Sequence, residues 1–247
     1  MIEQLKMKIR EFLDKKKVAK YGESYLFKRI TNFYRGGGHY YYCHGDLPKE
    51  EFLLNEVGLT LSEWLDEDRA IETLQKYWIS DAEYDCIWKK TQESVFKSLV
   101  KKEMFYYPWR TFQSSWHIRG YFGDTEGPFL DRNDLERLKG CLIECGEKTI
   151  IIAEEGKSGP FPIRLRLPVM ITWEDIWNGG FLLGTFLYQD YSNFYIFGEK
   201  PIWGKYVATE SDRVMSLIAF SEENKKLLDL YVRDIDLEDI CFTWNMN

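Results

Sequence analysis

Residues 181–206 hold nine aromatic side chains and are interrupted twice by short polar or glycine-bearing stretches. Three apolar runs result, 181–189, 193–197 and 203–208, rich in the aromatic and branched residues that suit a pleated surface. Asp190-Tyr-Ser has the length of a hairpin loop, and 198–202 supplies a second turn. The spacing predicts a three-stranded antiparallel meander over 181–208, with 214–220 as a fourth strand.

Upstream the pattern is different. Ile2, Leu5, Ile9, Phe12 and Leu13 recur at helical spacing with lysines filling the other face. Thr60-Leu-Ser-Glu63 and Ser80-Asp-Ala-Glu83 both fit a capping box, in which hydroxyl and carboxylate each satisfy an orphan N–H. After the second cap, Tyr84, Ile87, Trp88, Val95 and Leu99 predict one buried helical stripe. Beyond Lys102 the reading becomes mixed: a helix from near Asn133 carrying Leu135, Leu138 and Leu142 inward, a buried strand over 149–153, and an alternating strand over 164–167. A short helix capped by Thr172 and a last helix after Ser221, carrying Leu227, Leu228 and Leu230, complete the reading. Strands do not alternate regularly with helices, so a doubly wound fold is excluded. The expectation is α+β, with a mainly helical region over 1–102 followed by an α+β region over 103–247 built on an antiparallel sheet.

The net charge of -7 is unevenly distributed. Residues 1–35 carry ten Lys/Arg against four Asp/Glu, whereas the remainder is acidic. An acidic body disfavours nucleic acid as the main ligand, because neutralising phosphates needs a sustained basic surface. The five cysteines are scattered without a disulfide framework, which points to a reducing compartment. No stretch approaches the roughly 18 apolar residues of a membrane span, and Met1-Ile-Glu-Gln-Leu-Lys lacks the apolar core of a signal peptide. A cytoplasmic protein without membrane association is expected.

Chemistry-bearing constellations are sparse. His39, Cys43 and His44 form the densest set of metal-ligand types, but zinc takes about four ligands and no second cluster of matching spacing follows, so no metal is expected. Cys141 and Cys145 fall on the helix after Asn133 and read as core thiols. A Cys/His nucleophilic pair such as Cys43 with His117 is one catalytic option. Asp124 and Glu126, near the turn Gly123-Asp-Thr-Glu-Gly127, are another, as paired carboxylates for general acid/base work; the bland alternative is a solvated turn. With Glu154, Glu155, Asp190 and Glu199 they also read as an acidic rim for a basic partner. The sequence holds no nucleophile elbow, Walker loop or dinucleotide fingerprint, and no cofactor is expected.

The run Phe194-Tyr-Ile-Phe-Gly198, the turn, Trp203-Gly-Lys-Tyr-Val-Ala208 and Leu217-Ile-Ala-Phe220 together resemble small bacterial proteins related to polymorphic-toxin immunity proteins, over residues 181–231. That resemblance implies a non-catalytic cytoplasmic protein that binds and neutralises a cognate toxin, for which net acidity would steer a basic partner. Asp190, Tyr191, Trp203 and Tyr206 are the candidate contact residues; each also reads as sheet or core, and for Trp203 and Tyr206 packing is the first expectation. The rival class is a hydrolase using Asp124 and Glu126 or the Cys/His pair. The identity of the partner and the oligomeric state do not follow from the residues.

Overall fold

The computed structural model describes residues 67–100, 109–112, 116–123, 128–129, 131–155, 162–177, 193–210, 213–233 and 240–245, with single positions Leu13, Lys16, Lys17, Lys20, Phe27, Thr60 and Ser62. The chain divides into two units, one comprising Met1–Tyr77, Lys157–Pro162 and Glu174–Gln189, the other Trp78–Gly156, Ile163–Trp173 and Asp190–Asn247. In the first, α1 (Glu67–Tyr77) ends on a buried Tyr77, whose ring lies 4.8 Å from the Lys76 ammonium.

The second unit is an α+β structure organised by an antiparallel sheet. β3 (His117–Gly123), β4 (Thr149–Glu154), β5 (Arg164–Pro168), β6 (Phe194–Phe197), β7 (Trp203–Glu210), β8 (Arg213–Phe220) and β9 (Ile240–Asn245) lie in the order β5-β4-β6-β7-β8-β3-β9. β6, β7 and β8 form a consecutive meander, in which Tyr195 sits opposite Tyr206 and Tyr206 opposite Leu217. The other edge of β6 is taken by β4, with Ile151 opposite Phe197. The expected strand over 181–189 lies outside the described residues.

β4 is buried along its whole length, as its β-branched run predicts. β5 alternates, with Leu165 and Leu167 buried and Arg166 exposed. Its outer edge is engaged near one end, where Trp78 bridges to Leu165 and the Ile79 N–H donates to the Arg164 carbonyl at 2.9 Å.

Register assigns the side chains to two faces, and each face is covered. One carries Trp203, Lys205, Val207, Ser216 and Ile218 and meets α4 (Arg132–Glu144) and α6 (Lys226–Val232). α4 starts where Asp131 caps it through the Asp134 N–H, and it turns Leu135, Leu138 and Leu142 inward as expected. α5 (Trp173–Trp177) follows Thr172, and its residues from Glu174 on belong to the first unit.

The opposite face carries Ile151, Ala153, Tyr195, Phe197, Tyr206, Met215 and Leu217 in one cluster with Tyr84, Trp88, Val95, Phe96 and Phe112. Here the helical expectation is corrected. Ser80 caps α2 (Asp81–Glu83) by accepting from the Glu83 N–H, but the chain then makes a π turn over Tyr84–Trp88 before α3 (Lys89–Val95). The Lys89 N–H donates to the Tyr84 carbonyl, an i→i+5 bond, so the wider turn keeps both Tyr84 and Trp88 inside and leaves Ile87 54% exposed. The helix also stops at Val95. Phe96 turns extended and opens β1 (Phe96–Val100), which contains Leu99 and pairs with β2 (Trp109–Phe112). The Phe96 ring explains that stop by its docking: it lies 5.3 Å from Phe112 and 4.9 Å from Tyr195, worth about 0.5–1.5 kcal/mol per pair beyond burial.

Candidate functional site

The four residues Trp203-Gly-Lys-Tyr206 alternate between the faces of β7, and each meets a different partner. Trp203 is fully buried, and its indole Nε1 donates to Glu147 Oε1 at 3.3 Å. The same carboxylate accepts from the backbone N–H groups of Glu199 and Lys200 at 3.3 and 3.0 Å, so the β6–β7 turn closes on it. Lys200 reciprocates by donating to the Cys145 and Gly146 carbonyls at 2.9 and 3.0 Å, satisfying acceptors beyond the last turn of α4. Gly198 makes this closure possible, since a Cβ there would stand 2.6 Å from the Glu147 carboxyl and 2.7 Å from the Trp203 indole nitrogen. Burial raises the Glu147 carboxyl above its ordinary range, opposed by the hydrogen bonds from Lys200, Trp203 and Glu199.

Gly204 points to the other face. A Cβ on it would lie 2.5 Å from Val95 Cγ1 and 3.1 Å from Phe96 and Phe112, so the absent side chain is the space into which the β1–β2 hairpin settles.

Lys205 and Asp134 are both at 0% exposure and form an ion pair between β7 and α4. Asp134 Oδ2 accepts from Lys205, while Oδ1 accepts from Tyr121 at 3.0 Å and from Tyr231. The two phenols also contact one another, and Ser216 donates to Tyr121 at 2.9 Å. β3, β7, β8, α4 and α6 thus meet at one enclosed carboxylate. Burial pulls the Lys205 ammonium below the ordinary lysine range against the upward pull of Asp134, and the same burial pushes both phenols well above theirs.

Tyr206 closes a second polar group at the aromatic face. Its hydroxyl and that of Tyr195 donate to the two oxygens of Glu155, and Asn193 Nδ2 adds a third bond at 3.1 Å. The rings of Tyr195 and Tyr206 are 5.4 Å apart. Sequence reasoning placed Glu155 on an acidic rim and did not connect it to the tyrosines. A turn over 198–202 would set Tyr195 opposite Lys205; the observed pairing is one residue longer, with Phe197 opposite Gly204, and this register is what brings Tyr195 opposite Tyr206.

The other candidates distribute as follows. Trp203 and Tyr206 are enclosed by the sheet and its layers. Asp190, Tyr191, Asp124, Glu126, His39, Cys43 and His44 lie outside the described residues. Glu154 is buried and accepts from the Ile163 N–H at 3.0 Å, which removes it from any rim; Glu199 is exposed and accepts from Thr149 at 2.8 Å. His117 contacts Glu222 through Nε2. Cys141 is buried with its thiol pushed up to about 12, and burial raises Cys145 as well, so neither offers much thiolate at neutral pH.

Among the described residues no group of three or more His, Cys, Asp or Glu is placed to hold a metal, and no helix is long and apolar enough to cross a membrane. Compared with known proteins, the chain matches no family model, no curated protein and no solved structure.

The chemistry open to these groups is limited by their engagement. A carboxylate has about four lone-pair sites, and Glu155 already accepts three hydrogen bonds. Asp134 is likewise occupied on both oxygens and closed to water. Each group positions strands and helices; a general base instead needs a free oxygen within reach of a substrate proton.

Proposed function

We propose that this chain is a non-catalytic cytoplasmic protein-binding module of the immunity type, which neutralises a basic toxin by binding it. The observation that carries this reading is the inward closure of its polar chemistry. Lys205, Asp134, Tyr121 and Tyr231 engage one another away from solvent, and Glu155 is held by Tyr195, Tyr206 and Asn193. Among the described residues these side chains serve as structure, which is in keeping with recognition at the surface. The chain carries a net charge of -7, and on and beside α4 and α6 its exposed carboxylates Asp131, Glu136, Glu222, Glu223 and Asp229 are interspersed with exposed Arg132, Lys225, Lys226 and Arg233. An acidic surface raises the association rate of a basic partner.

Within this reading Asp190 and Tyr191 are the contact residues, while Trp203 and Tyr206 act from inside by fixing the β6–β7 hairpin. Co-expression with the toxin-like product of a neighbouring gene tests it. Growth of the expression host should be restored, and the purified pair should form a complex that weakens as ionic strength rises. A neighbourhood without a toxin-like gene, or a toxin that neither binds the chain nor loses its effect, would overturn the proposal.

A further inference from the structure

Asp134 and Lys205 meet where neither side chain has any exposure, and the groups around them suit a reaction between the two. Asp134 Oδ2 faces Lys205 Nζ, while Oδ1 accepts from Tyr231 and, at 3.0 Å, from Tyr121. Ser216 donates to the Tyr121 oxygen at 2.9 Å, which directs the Tyr121 proton to Asp134. Nζ lies 5.6 Å from the centre of the Phe129 ring and 5.8 Å from that of Tyr121, so the amine end is lined by rings. Burial draws Lys205 toward its neutral, nucleophilic form against the pull of Asp134, and it keeps both phenols protonated as donors. Groups held in contact react as though at effective concentrations of about 10⁵–10⁸ M when well oriented.

We infer that Lys205 and Asp134 condense in the folded chain to an isopeptide bond between β7 and α4, assisted by the Tyr121 and Tyr231 hydroxyls. The Nζ lone pair forms a bond to Asp134 Cγ, and charge gathers on Oδ1, where the two phenols already donate. The Cγ–Oδ2 bond then breaks with its electron pair on Oδ2. Of the three ammonium protons, two pass to that oxygen, which leaves as water, and the third remains as the amide N–H. Ammonium and carboxylate supply every atom, so no oxidant, reductant or activating group is needed. Before the bond closes, the two groups form the ion pair described above; once it has closed, the same exclusion of solvent protects it from hydrolysis. The bond ties together positions 71 residues apart in the chain.

Mass spectrometry of the full wild-type chain tests this. After purification and incubation until its mass is constant, the chain measured under denaturing conditions should be one water lighter than its sequence requires. A digest should then yield a branched peptide that joins the segment bearing Asp134 to the segment bearing Lys205. A wild-type chain of full mass overturns the inference. So does a lost water that digestion leaves on a linear peptide, which marks a succinimide at an aspartate. Tyr121→Phe with Tyr231→Phe should slow the loss of water by about a hundredfold, read as mass against time after synthesis, and an unchanged rate overturns the part given to the two hydroxyls. Should that variant fail to fold, the presence or absence of the branched peptide in the wild type decides.

Discussion

The two faces of the sheet are filled by opposite means. Against α4 and α6, directional bonds dictate which helix residue meets which strand residue: Asp134 with Lys205, Tyr231 with Tyr121, and the β6–β7 turn with Glu147. Against the β1–β2 hairpin, contact is made by shape, with Val95, Phe96 and Phe112 filling the space that Gly204 leaves open and Phe96 packing on Tyr195 and Phe197. Apolar contacts tolerate sliding, whereas a buried charge accepts one partner geometry. The polar face should therefore be the costlier to break at one atom, and the aromatic face the more sensitive to added volume.

Removal of one charge is the largest expected effect. Asp134→Ala should cost about 3–5 kcal/mol in denaturant unfolding, because Lys205 is left enclosed without its partner. Combining Asp134→Leu with Lys205→Met should recover part of that loss but stop about 1–3 kcal/mol short of the wild type, because the Tyr121 and Tyr231 phenols lose their shared acceptor; if the double variant stays as unstable as the single one, the enclosed ammonium is not the source of the loss.

Gly204→Ala challenges the shape-filled face. A Cβ at 2.5 Å from Val95 must push the hairpin outward, costing about 1–3 kcal/mol, and chemical shifts in β1 and β2 should move more than those in α4. A neutral result would mean that the hairpin is not seated on β7 by close approach.

A pH titration contrasts the faces without altering volume. Tyr121 and Tyr231 have folded-state values above the unfolded value of about 10, so the stability they contribute is whole below about pH 10 and is lost as pH rises toward the folded values. Burial raises Tyr84 on the other face too, opposed by the Arg164 guanidinium 3.7 Å from its ring. Tyr121→Phe with Tyr231→Phe should flatten the alkaline limb of the stability curve more than Tyr84→Phe does, as followed by circular dichroism.

The smallest effect belongs to Glu147. Its carboxyl is raised above the unfolded value, so its contribution is whole below about pH 4.5 and declines as pH rises through the folded value. Glu147→Gln should remove that acid-range slope, with a change at neutral pH of about 1 kcal/mol or less in thermal unfolding.

Much of the local structure was legible in advance because local physics governs it. β4 announced itself by a β-branched run, α4 by leucines at helical spacing, and β5 by alternation. The π turn and the stop at Val95 were not legible. Both follow from where Tyr84, Trp88 and Phe96 find room in a cluster drawn from distant parts of the chain. Glu154 and Glu155 read alike as rim carboxylates, yet their neighbours decided otherwise: one is enclosed against the Ile163 N–H and the other is gripped by two phenols.

The sequence by itself determined the α+β class, most element positions and the acidity of the chain, since these depend on periodicity, capping and composition over a few residues. Only the tertiary structure decided what Trp203-Gly-Lys-Tyr206 is for. Strand alternation sends Trp203 and Lys205 to one face and Gly204 and Tyr206 to the other, but the residues that await them, Glu147, Asp134, Val95 and Glu155, lie 51 to 109 positions away in the chain. A short-range pattern holds no record of partners that only sheet order and helix docking bring within hydrogen-bonding distance.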